Sequence, residues 1–214
     1  MTQSVRKAVV ESSRVDMLDA AALCFEERGY AATSIDDVAR RLEATKGRIY
    51  HHFHSKGELF AAVFRHGMDM NYAVVEPVLA LDLTPMEKLR RMAKVHAIHM
   101  ARTKAFQRVV WEGAEMQMRS ATTPEQRTAL DELHKRRADF SIMFRDVIEQ
   151  ARDAGDLSVE NSSVATQLMF MALNSPIFWY SQRPGETEAD FERLIGQVVK
   201  FALRGLGARV ELSQ

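Results

Sequence analysis

The chain has 214 residues, 46% hydrophobic and 27% charged, which excludes wholesale disorder and allows one large domain or two small ones. Its 29 basic and 29 acidic residues balance, so overall charge gives no indication for or against nucleic acid, and a single cysteine excludes an intrachain disulfide. No apolar run approaches the roughly 18 residues that span a bilayer, and the N-terminus lacks the apolar core of a secretory signal. We therefore expect a cytoplasmic protein with no membrane partner. Few glycines and prolines favour an all-α chain.

The first predicted helix covers about residues 5–28, where apolar side chains recur at helical spacing. Gly29 follows it, as expected of a residue just past a helix C-terminus. Cys24 lies beside Phe25 in this helix, and we expect it to be a small buried apolar group rather than a redox switch.

Residues 34–56 predict two short helices joined by a tight turn. Ser34, with Asp37 three residues later, can form a capping box at the first helix. The turn falls at Glu43, and Thr45 can cap a second helix that runs to about residue 52. This arrangement is typical of a helix-turn-helix, in which the second helix enters the major groove of DNA.

The outer side of the second helix is basic. It carries Lys46, Arg48 and Tyr50, whereas Ile49 and Phe53 point inward. Five cations and one anion lie between residues 40 and 56. In a neutral protein, one concentrated basic patch predicts phosphate binding at that patch. The alternative is an ordinary solvated face.

Start signals predict the remaining helices. They are Ser55 with Glu58, Thr84-Pro85 with Glu87, Thr123-Pro124 with Gln126, and Thr187 with Asp190. The third of these helices ends at Gly155 and the last at Gly205. Between them, residues 160–181 predict a helix that is kinked at Pro176.

Residues 14–63 closely resemble the DNA-binding domain of TetR-family (TetR/AcrR) transcriptional regulators. The shared pattern is L-x-A-A-x-x-x-F-x-x-x-G-Y-x-x-T-S-I-x-D-V-A followed by T-K-G-x-I-Y-x-H-F-x-S-K-x-E-L. The resemblance implies an all-α fold of about nine helices. A three-helix DNA-binding domain would occupy residues 1–57, and a larger domain over residues 58–214 would bind a small effector and form a homodimer.

The resemblance assigns DNA contacts to Thr33, Ser34, Thr45, Lys46, Gly47, Arg48, Tyr50, His51 and Lys56. Thr33 and Ser34 would offer hydroxyl and backbone N–H groups to a phosphate. Tyr50, His51 and Lys56 would also contact phosphates. Arg48 would read a guanine edge, and Gly47 would let the backbone approach the groove. Glu43 stands where the family often has glycine, and a left-handed backbone there would cost on the order of 1 kcal/mol.

A set of methionine, aromatic and polar residues could line an apolar effector cavity. They are Met92, His96, His99, Met100, Trp111, Phe140, Phe144, Phe170, Asn174 and Phe178. Core packing is the alternative, and both histidines are also explained as core or interface residues. The turn WY-x-x-RPG at residues 179–185 is similar to turns in family members that control lipid, steroid or aromatic-acid catabolism, some of which sense acyl-CoA thioesters.

The last predicted helix carries an apolar stripe too broad for one buried side of a monomer. Its residues Phe191, Leu194, Ile195, Val198 and Ala202 are expected to form an isologous four-helix dimer interface with the preceding helix.

The chain has no nucleophile elbow, P-loop or dinucleotide fingerprint, and His51, His52 and His54 are not at metal-ligand spacing. We therefore expect no enzyme activity, cofactor or metal. The predicted function is a ligand-responsive repressor that binds a palindromic operator as a dimer and is released by a small, largely apolar effector. A ligand-independent DNA-binding protein and a helical enzyme are the alternatives. The sequence leaves open the effector, the operator and whether the protein represses or activates.

Overall fold

The computed structural model describes residues 3–118 and 124–208, with side chains described for residues 14–116 and 131–208. The described residues form ten helices and no strand, which confirms the predicted all-α fold. The helices are α1 (Gln3–Ala32), α2 (Ile35–Arg41), α3 (Lys46–Tyr50), α4 (Lys56–Leu79), α5 (Pro85–Arg102), α6 (Lys104–Met118), α7 (Pro124–Asp153), α8 (Ser162–Asn174), α9 (Pro176–Trp179) and α10 (Glu188–Gly205). Within the described ranges, no helix is both long enough and apolar enough to cross a membrane.

Capping boxes begin three of these helices, as predicted from the sequence for α5 and α10 and for the first helix of the helix-turn-helix. In each, the cap hydroxyl accepts a backbone N–H and the carboxylate three residues later accepts the N–H of the cap residue. The pairs are Ser34–Asp37 for α2, Thr84–Glu87 for α5 and Thr187–Asp190 for α10. The predicted cap Thr123 lies outside the described residues.

One helix ends earlier than the sequence predicted, and a second break, between α5 and α6, was not predicted. Pro176 has no N–H to donate to the carbonyl of Ala172, so α8 ends at Asn174 and the short α9 begins at Pro176. The N–H and hydroxyl of Ser175 lie 3.2 Å and 2.8 Å from the Ala172 oxygen instead. Similarly, the N–H and hydroxyl of Thr103 bond to the oxygen of His99, and they separate α5 from α6. The predicted kink at Pro176 is therefore a break.

Glycines occupy the left-handed positions near two helix ends. Gly29 has φ of +73° inside α1, so residues 30–32 form a separate turn after the predicted stop. At the other end of the chain, α10 runs through Gly205, and the left-handed residue is Gly207, also with φ of +73°. The predicted stop at Gly205 was therefore two residues early.

The chain divides into two compact units. The first comprises Met1–Asp69 and Ala105–Lys135, and the second Met70–Lys104 and Arg136–Gln214. The first unit extends beyond the expected boundary at residue 57 because α6 packs against α4 within it. A Cβ placed on Gly113 of α6 would lie 2.5 Å from the ring of Phe64, so this close approach requires glycine.

Candidate nucleic-acid interface and ligand site

The side chains of α3 divide into a buried and an exposed side, as predicted. Ile49 is fully buried, and Phe53 just after the helix is 1% exposed. The opposite side is exposed and consists of Thr45, Lys46, Gly47, Arg48, Tyr50 and His51. Thr45 caps the helix by accepting the N–H of Arg48. Six of the nine predicted DNA-contact residues are thus exposed on α3 or directly beside it.

The basic patch is less positive than the sequence predicted. Arg40 pairs with Asp37 at 3.1 Å, and Lys46 pairs with Asp36 at 3.0 Å. Arg41 pairs with Glu27 of α1. These acidic residues lie outside residues 40–56, where five cations and one anion were counted in the sequence. That count therefore overestimates the positive charge of the folded surface.

Thr33 is placed differently from the prediction. Its side chain is 2% exposed, and the hydroxyl lies 3.0 Å from the Cys24 oxygen and 2.8 Å from the Gly29 oxygen. The neighbouring Ser34 hydroxyl and N–H both donate to the Asp37 carboxylate. These hydrogen bonds hold the pKa of Asp37 well below its usual range. The Thr33 hydroxyl therefore stabilises the end of α1 and is not presented to a phosphate.

Lys56 also has a role that the sequence did not predict. Its Nζ lies 2.7 Å from the oxygen of Tyr30, 2.9 Å from that of Thr33 and 3.3 Å from that of Ala31. The ammonium also lies 4.4 Å from the centre of the Tyr30 ring. Because these carbonyls end α1, Lys56 acts as a cap for that helix, and its contact with a DNA phosphate stays a prediction.

The turn between α2 and α3 has the backbone conformation expected of glycine. Glu43 has φ of +51°, the only positive φ of a non-glycine residue in the described part of the chain. The N–H of Ala44 donates to the oxygen of Ala39 at 2.9 Å, and the N–H of Glu43 donates to that of Arg40 at 3.2 Å. This pair of bonds is a Schellman motif, whose left-handed position usually holds glycine.

Glu112 of α6 is a contact that sequence reasoning missed. Its Oε1 accepts the N–H of Tyr30 at 2.7 Å, one residue after the left-handed Gly29. Tyr30 in turn packs edge-on against the Phe60 ring at 4.9 Å. No spacing rule connects residues 82 positions apart in sequence, so no local signal could have identified this pair.

In the second unit, α5, α7 and α8 bring part of the predicted effector set together. The His96 ring lies 5.4–5.7 Å from the rings of Phe140, Phe144 and Phe170. Its Nε2 lies 2.8 Å from Asn174 Oδ1. Met92 and Met100 are buried on the same helix, α5. We call His96, Phe140, Phe144 and Phe170 the aromatic cluster.

Both histidines of α5 are neutral near pH 7. Burial lowers the pKa of His96 to about 4 and that of His99 to about 4. Since Asn174 Oδ1 only accepts, His96 carries its proton on Nε2, which leaves Nδ1 as an acceptor. That Nδ1 is buried and has no hydrogen-bond partner among the described residues.

Two of the predicted effector residues lie elsewhere. Phe178 on α9 is 45% exposed. Trp111 belongs to the first unit, where its indole N–H donates to Glu115 at 3.2 Å. Neither is part of the aromatic cluster.

The predicted dimer residues on α10 also divide into two groups. Phe191, Ile195 and Ala202 are buried within the second unit, so they are core residues. Leu194 and Val198 are partly exposed and lie beside Phe201, which is 73% exposed. On α8, Val164, Leu168 and Met171 are 55–65% exposed. We call these six residues the α8–α10 stripes, and all of them except Val164 line a groove of about 940 Å³.

The described residues contain no group of three or more His, Cys, Asp or Glu side chains that could hold a metal ion.

Two family models match the chain. Residues 17–63 match the bacterial regulatory proteins of the tetR family, and residues 82–206 match the tetracyclin repressor-like C-terminal domain. The second match alone covers more than half of the chain.

Among curated proteins, the chain is 34% identical over 102 residues to the HTH-type transcriptional repressor KstR2 of Mycobacterium tuberculosis. That match covers 46% of this chain and 51% of KstR2, so it spans about half the length of the relative. The probable HTH-type transcriptional regulator ArpR of Pseudomonas putida is 26% identical over 205 residues, 94% of this chain and 92% of ArpR.

Solved structures share the fold. KstR2 of M. tuberculosis, described as a ketosteroid transcriptional regulator, aligns with a TM-score of 0.74 at 23% identity and covers 91% of this chain and 94% of its own. AibR in complex with isovaleryl coenzyme A and operator DNA aligns with a TM-score of 0.68 at 23% identity, over 89% of this chain and 97% of its own.

Proposed function

The chain belongs to the TetR family of bacterial regulatory proteins, and from that premise we propose that it is a ligand-responsive repressor that binds a palindromic operator as a homodimer. The observation that carries the proposal is the division of α3 into two sides. Buried Ile49 and Phe53 fix the helix on the first unit, while its polar side stays accessible to a major groove.

Gly47 supports this function because the fold does not require glycine there. A Cβ at that position would meet only the Thr45 hydroxyl, at 4.0 Å, and the φ value is not left-handed. Alanine would stabilise a helix interior by roughly 0.5–1 kcal/mol relative to glycine. A residue that weakens α3 and leaves its surface bare is suited to close approach of the backbone to DNA.

The α8–α10 stripes support a homodimer. On α8 the residues are spaced by four and three positions, and on α10 Leu194, Val198 and Phe201 repeat that spacing, so each helix presents one apolar face. A second copy would place the same two helices opposite them in a four-helix, isologous interface. A dimer also supplies the two recognition helices that a palindromic operator needs.

The effector would be small and largely apolar, in keeping with the aromatic cluster and the buried methionines of α5. A lipid-like or acyl-CoA ligand would also suit two structural relatives, since one is described as a ketosteroid transcriptional regulator and the other is in complex with isovaleryl coenzyme A. Release follows if the effector prefers a conformation with a different separation of recognition helices. A coupling energy of about 1–3 kcal/mol is typical of such systems.

Selection of operator sequences from random duplex DNA, followed by titration of Arg48→Ala and Gly47→Ala, tests the DNA-binding function. Arg48→Ala should cost roughly 1–3 kcal/mol on the selected operator and weaken the preference at one base pair per half-site. Gly47→Ala should bind DNA more weakly while melting at the same or a higher temperature. If no sequence is enriched, or if both variants bind as the wild type does, the proposed recognition surface is wrong.

The ligand-independent alternative is tested with the same operator. A panel of acyl-CoA thioesters, steroids and aromatic acids should include a compound that lowers operator affinity of the wild-type protein. A regulator without an effector would bind the operator equally in the presence of every compound.

A further inference from the structure

Arg137 of α7 is a partly buried cation on the side of the helix that faces the aromatic cluster. Phe140 and Phe144 follow it by three and seven residues, so the three side chains share one face of α7. Phe140 is 4% exposed and Phe144 is fully buried. The Arg137 side chain is only partly exposed, and burial lowers its pKa.

Arg137 has no counterion among the described residues. None of its side-chain nitrogens makes a hydrogen bond or ion pair there, and burial is the only cause that acts on its pKa. In the same unit, Arg102 pairs with Glu188 and Arg193 pairs with Asp190. A guanidinium cannot lose its proton near pH 7, so Arg137 remains charged, and the described side chains offer it no compensating anion.

The polar groups beside the aromatic cluster cannot provide positive charge. His96 and His99 are neutral near pH 7 because they are buried. Asn174 is uncharged and is already bonded to His96. A ligand that places an apolar body against the cluster and carries an anionic group would therefore find a cation at Arg137, which shares one face of α7 with Phe140 and Phe144.

We propose that the effector is an amphipathic anion whose apolar body packs against the aromatic cluster and whose carboxylate or phosphate pairs with Arg137. This inference rests on the proposed ligand-responsive function and specifies the ligand class. A planar guanidinium binds carboxylate and phosphate with two parallel hydrogen bonds, so both sources of negative charge fit the same residue. Binding would supply the missing counterion.

Two matched fluorescent probes test the charge requirement on the full-length protein. 1-Anilinonaphthalene-8-sulfonate carries an anion, and N-phenyl-1-naphthylamine is the same aromatic body without it. Wild-type protein and Arg137→Lys should bind the anionic probe about tenfold more tightly than the neutral one. Arg137→Gln should lose that preference and bind the neutral probe as the wild type does. Arg90→Gln, which changes an exposed arginine of α5, is the control and should keep the preference.

Displacement of the anionic probe separates the two sources of charge. Stronger competition by dodecanoate points to a free carboxylate, and stronger competition by dodecanoyl coenzyme A points to phosphate. Dodecanol competing as well as both would overturn the proposal. So would a wild-type protein without preference for the anionic probe, or an Arg137→Gln variant that retains it.

Stability gives an independent readout. Removing a buried charge without a partner should raise the melting temperature of ligand-free Arg137→Met by a few degrees, roughly 2–4 °C. A lower melting temperature would show that Arg137 supports the fold, and would also overturn the proposal. Without ligand, all variants should bind the operator as tightly as the wild type does. A wild-type protein that binds no operator would count against the proposed function and not against the role of Arg137.

Discussion

The backbone N–H of Tyr30 donates to the carboxylate of Glu112 at 2.7 Å, while the oxygen of Tyr30 accepts from Lys56 at 2.7 Å. Both backbone groups of the residue after left-handed Gly29 are thus held by side chains, one from α6 and one from α4. Because α1 cannot continue through Gly29 with regular hydrogen bonds, these two side chains fix the direction in which the chain enters the helix-turn-helix.

Glu112→Ala should destabilise the protein by roughly 1–3 kcal/mol, because the partly buried N–H of Tyr30 loses its acceptor. Operator affinity should fall as well, since the entry to α2 is no longer fixed. Chemical denaturation and operator titration measure the two effects. Glu112→Gln keeps an acceptor oxygen and should retain most of the stability and of the operator affinity. If it lowers both as much as Glu112→Ala does, the charge of Glu112 is required and not only its hydrogen bond to Tyr30.

Lys56→Met should lower stability by about 1–3 kcal/mol, because three carbonyls at the end of α1 lose their donor. The phosphate contact expected from the sequence would instead lower the salt dependence of DNA binding by about one unit without affecting stability. Denaturation and salt-dependent titration distinguish the two. Lys46→Met removes an exposed ion pair with Asp36 and a contact with the exposed Tyr50 ring, and should change stability by less than about 0.5 kcal/mol.

Glu43→Gly should raise stability by about 1 kcal/mol, because glycine adopts the left-handed φ of +51° without a Cβ penalty. The exposed Glu43 carboxylate also lies on the DNA-binding unit, so its removal should tighten operator binding slightly. Thermal melts and operator titration check both effects. A variant that is less stable and binds more weakly would show that Glu43 makes a favourable contact.

Gly155 occupies the same left-handed position in a second Schellman motif, at the end of α7, so the opposite substitution can be made there. It has φ of +84°, and Asp156 donates to the oxygen of Ala151 at 2.9 Å, as in the turn at Glu43. A Cβ at Gly155 would meet nothing within 4 Å, so only backbone strain acts on Gly155→Ala. Its expected loss of about 1 kcal/mol should mirror the gain at Glu43.

Local sequence signals predicted local structure well. The capping pairs Ser34–Asp37 and Thr84–Glu87 are three residues apart, and the buried side of α3 follows from helical period alone. The left-handed conformation at Glu43 was inferred from the family's usual glycine. These features depend on neighbours within one or two turns, which a single sequence displays.

Contacts between distant segments were not predictable in this way. Lys56 reads as one more cation in a basic run, and only the fold shows that its ammonium reaches Tyr30, 26 residues earlier. Helical period also could not separate the buried Phe191 and Ile195 from the exposed Phe201, because α10 carries apolar residues on both its buried and its exposed side. Arg137 was overlooked because its lack of a partner is visible only in three dimensions.

Stability should decrease on acidification between about pH 6.5 and pH 4 because of His96 and His99. Each has a pKa of about 4 when folded, against an ordinary 6.5, so the unfolded chain takes up a proton first as pH falls. Each contributes a slope of up to about 1.4 kcal/mol per pH unit in that window. Urea denaturation at several pH values in this window measures how the free energy of unfolding depends on pH. That dependence should be weaker for the double variant His96→Gln/His99→Gln than for the wild type. An equal dependence in both proteins would contradict the assignment to these two histidines.

Phe201→Glu should dissociate the proposed dimer while leaving the protomer folded. Phe201 is 73% exposed within the protomer, so glutamate there remains solvated in a monomer but would place an unpaired charge in the apolar dimer interface. Operator affinity should fall together with dimerisation, because one half-site alone loses the contribution of the second recognition helix. Sedimentation velocity, circular dichroism and operator titration measure the three properties. Ile142→Glu, an exposed apolar position on α7 outside the stripes, is the control and should remain dimeric. Sedimentation of Phe201→Glu as an intact dimer with normal operator binding would place the interface on another surface.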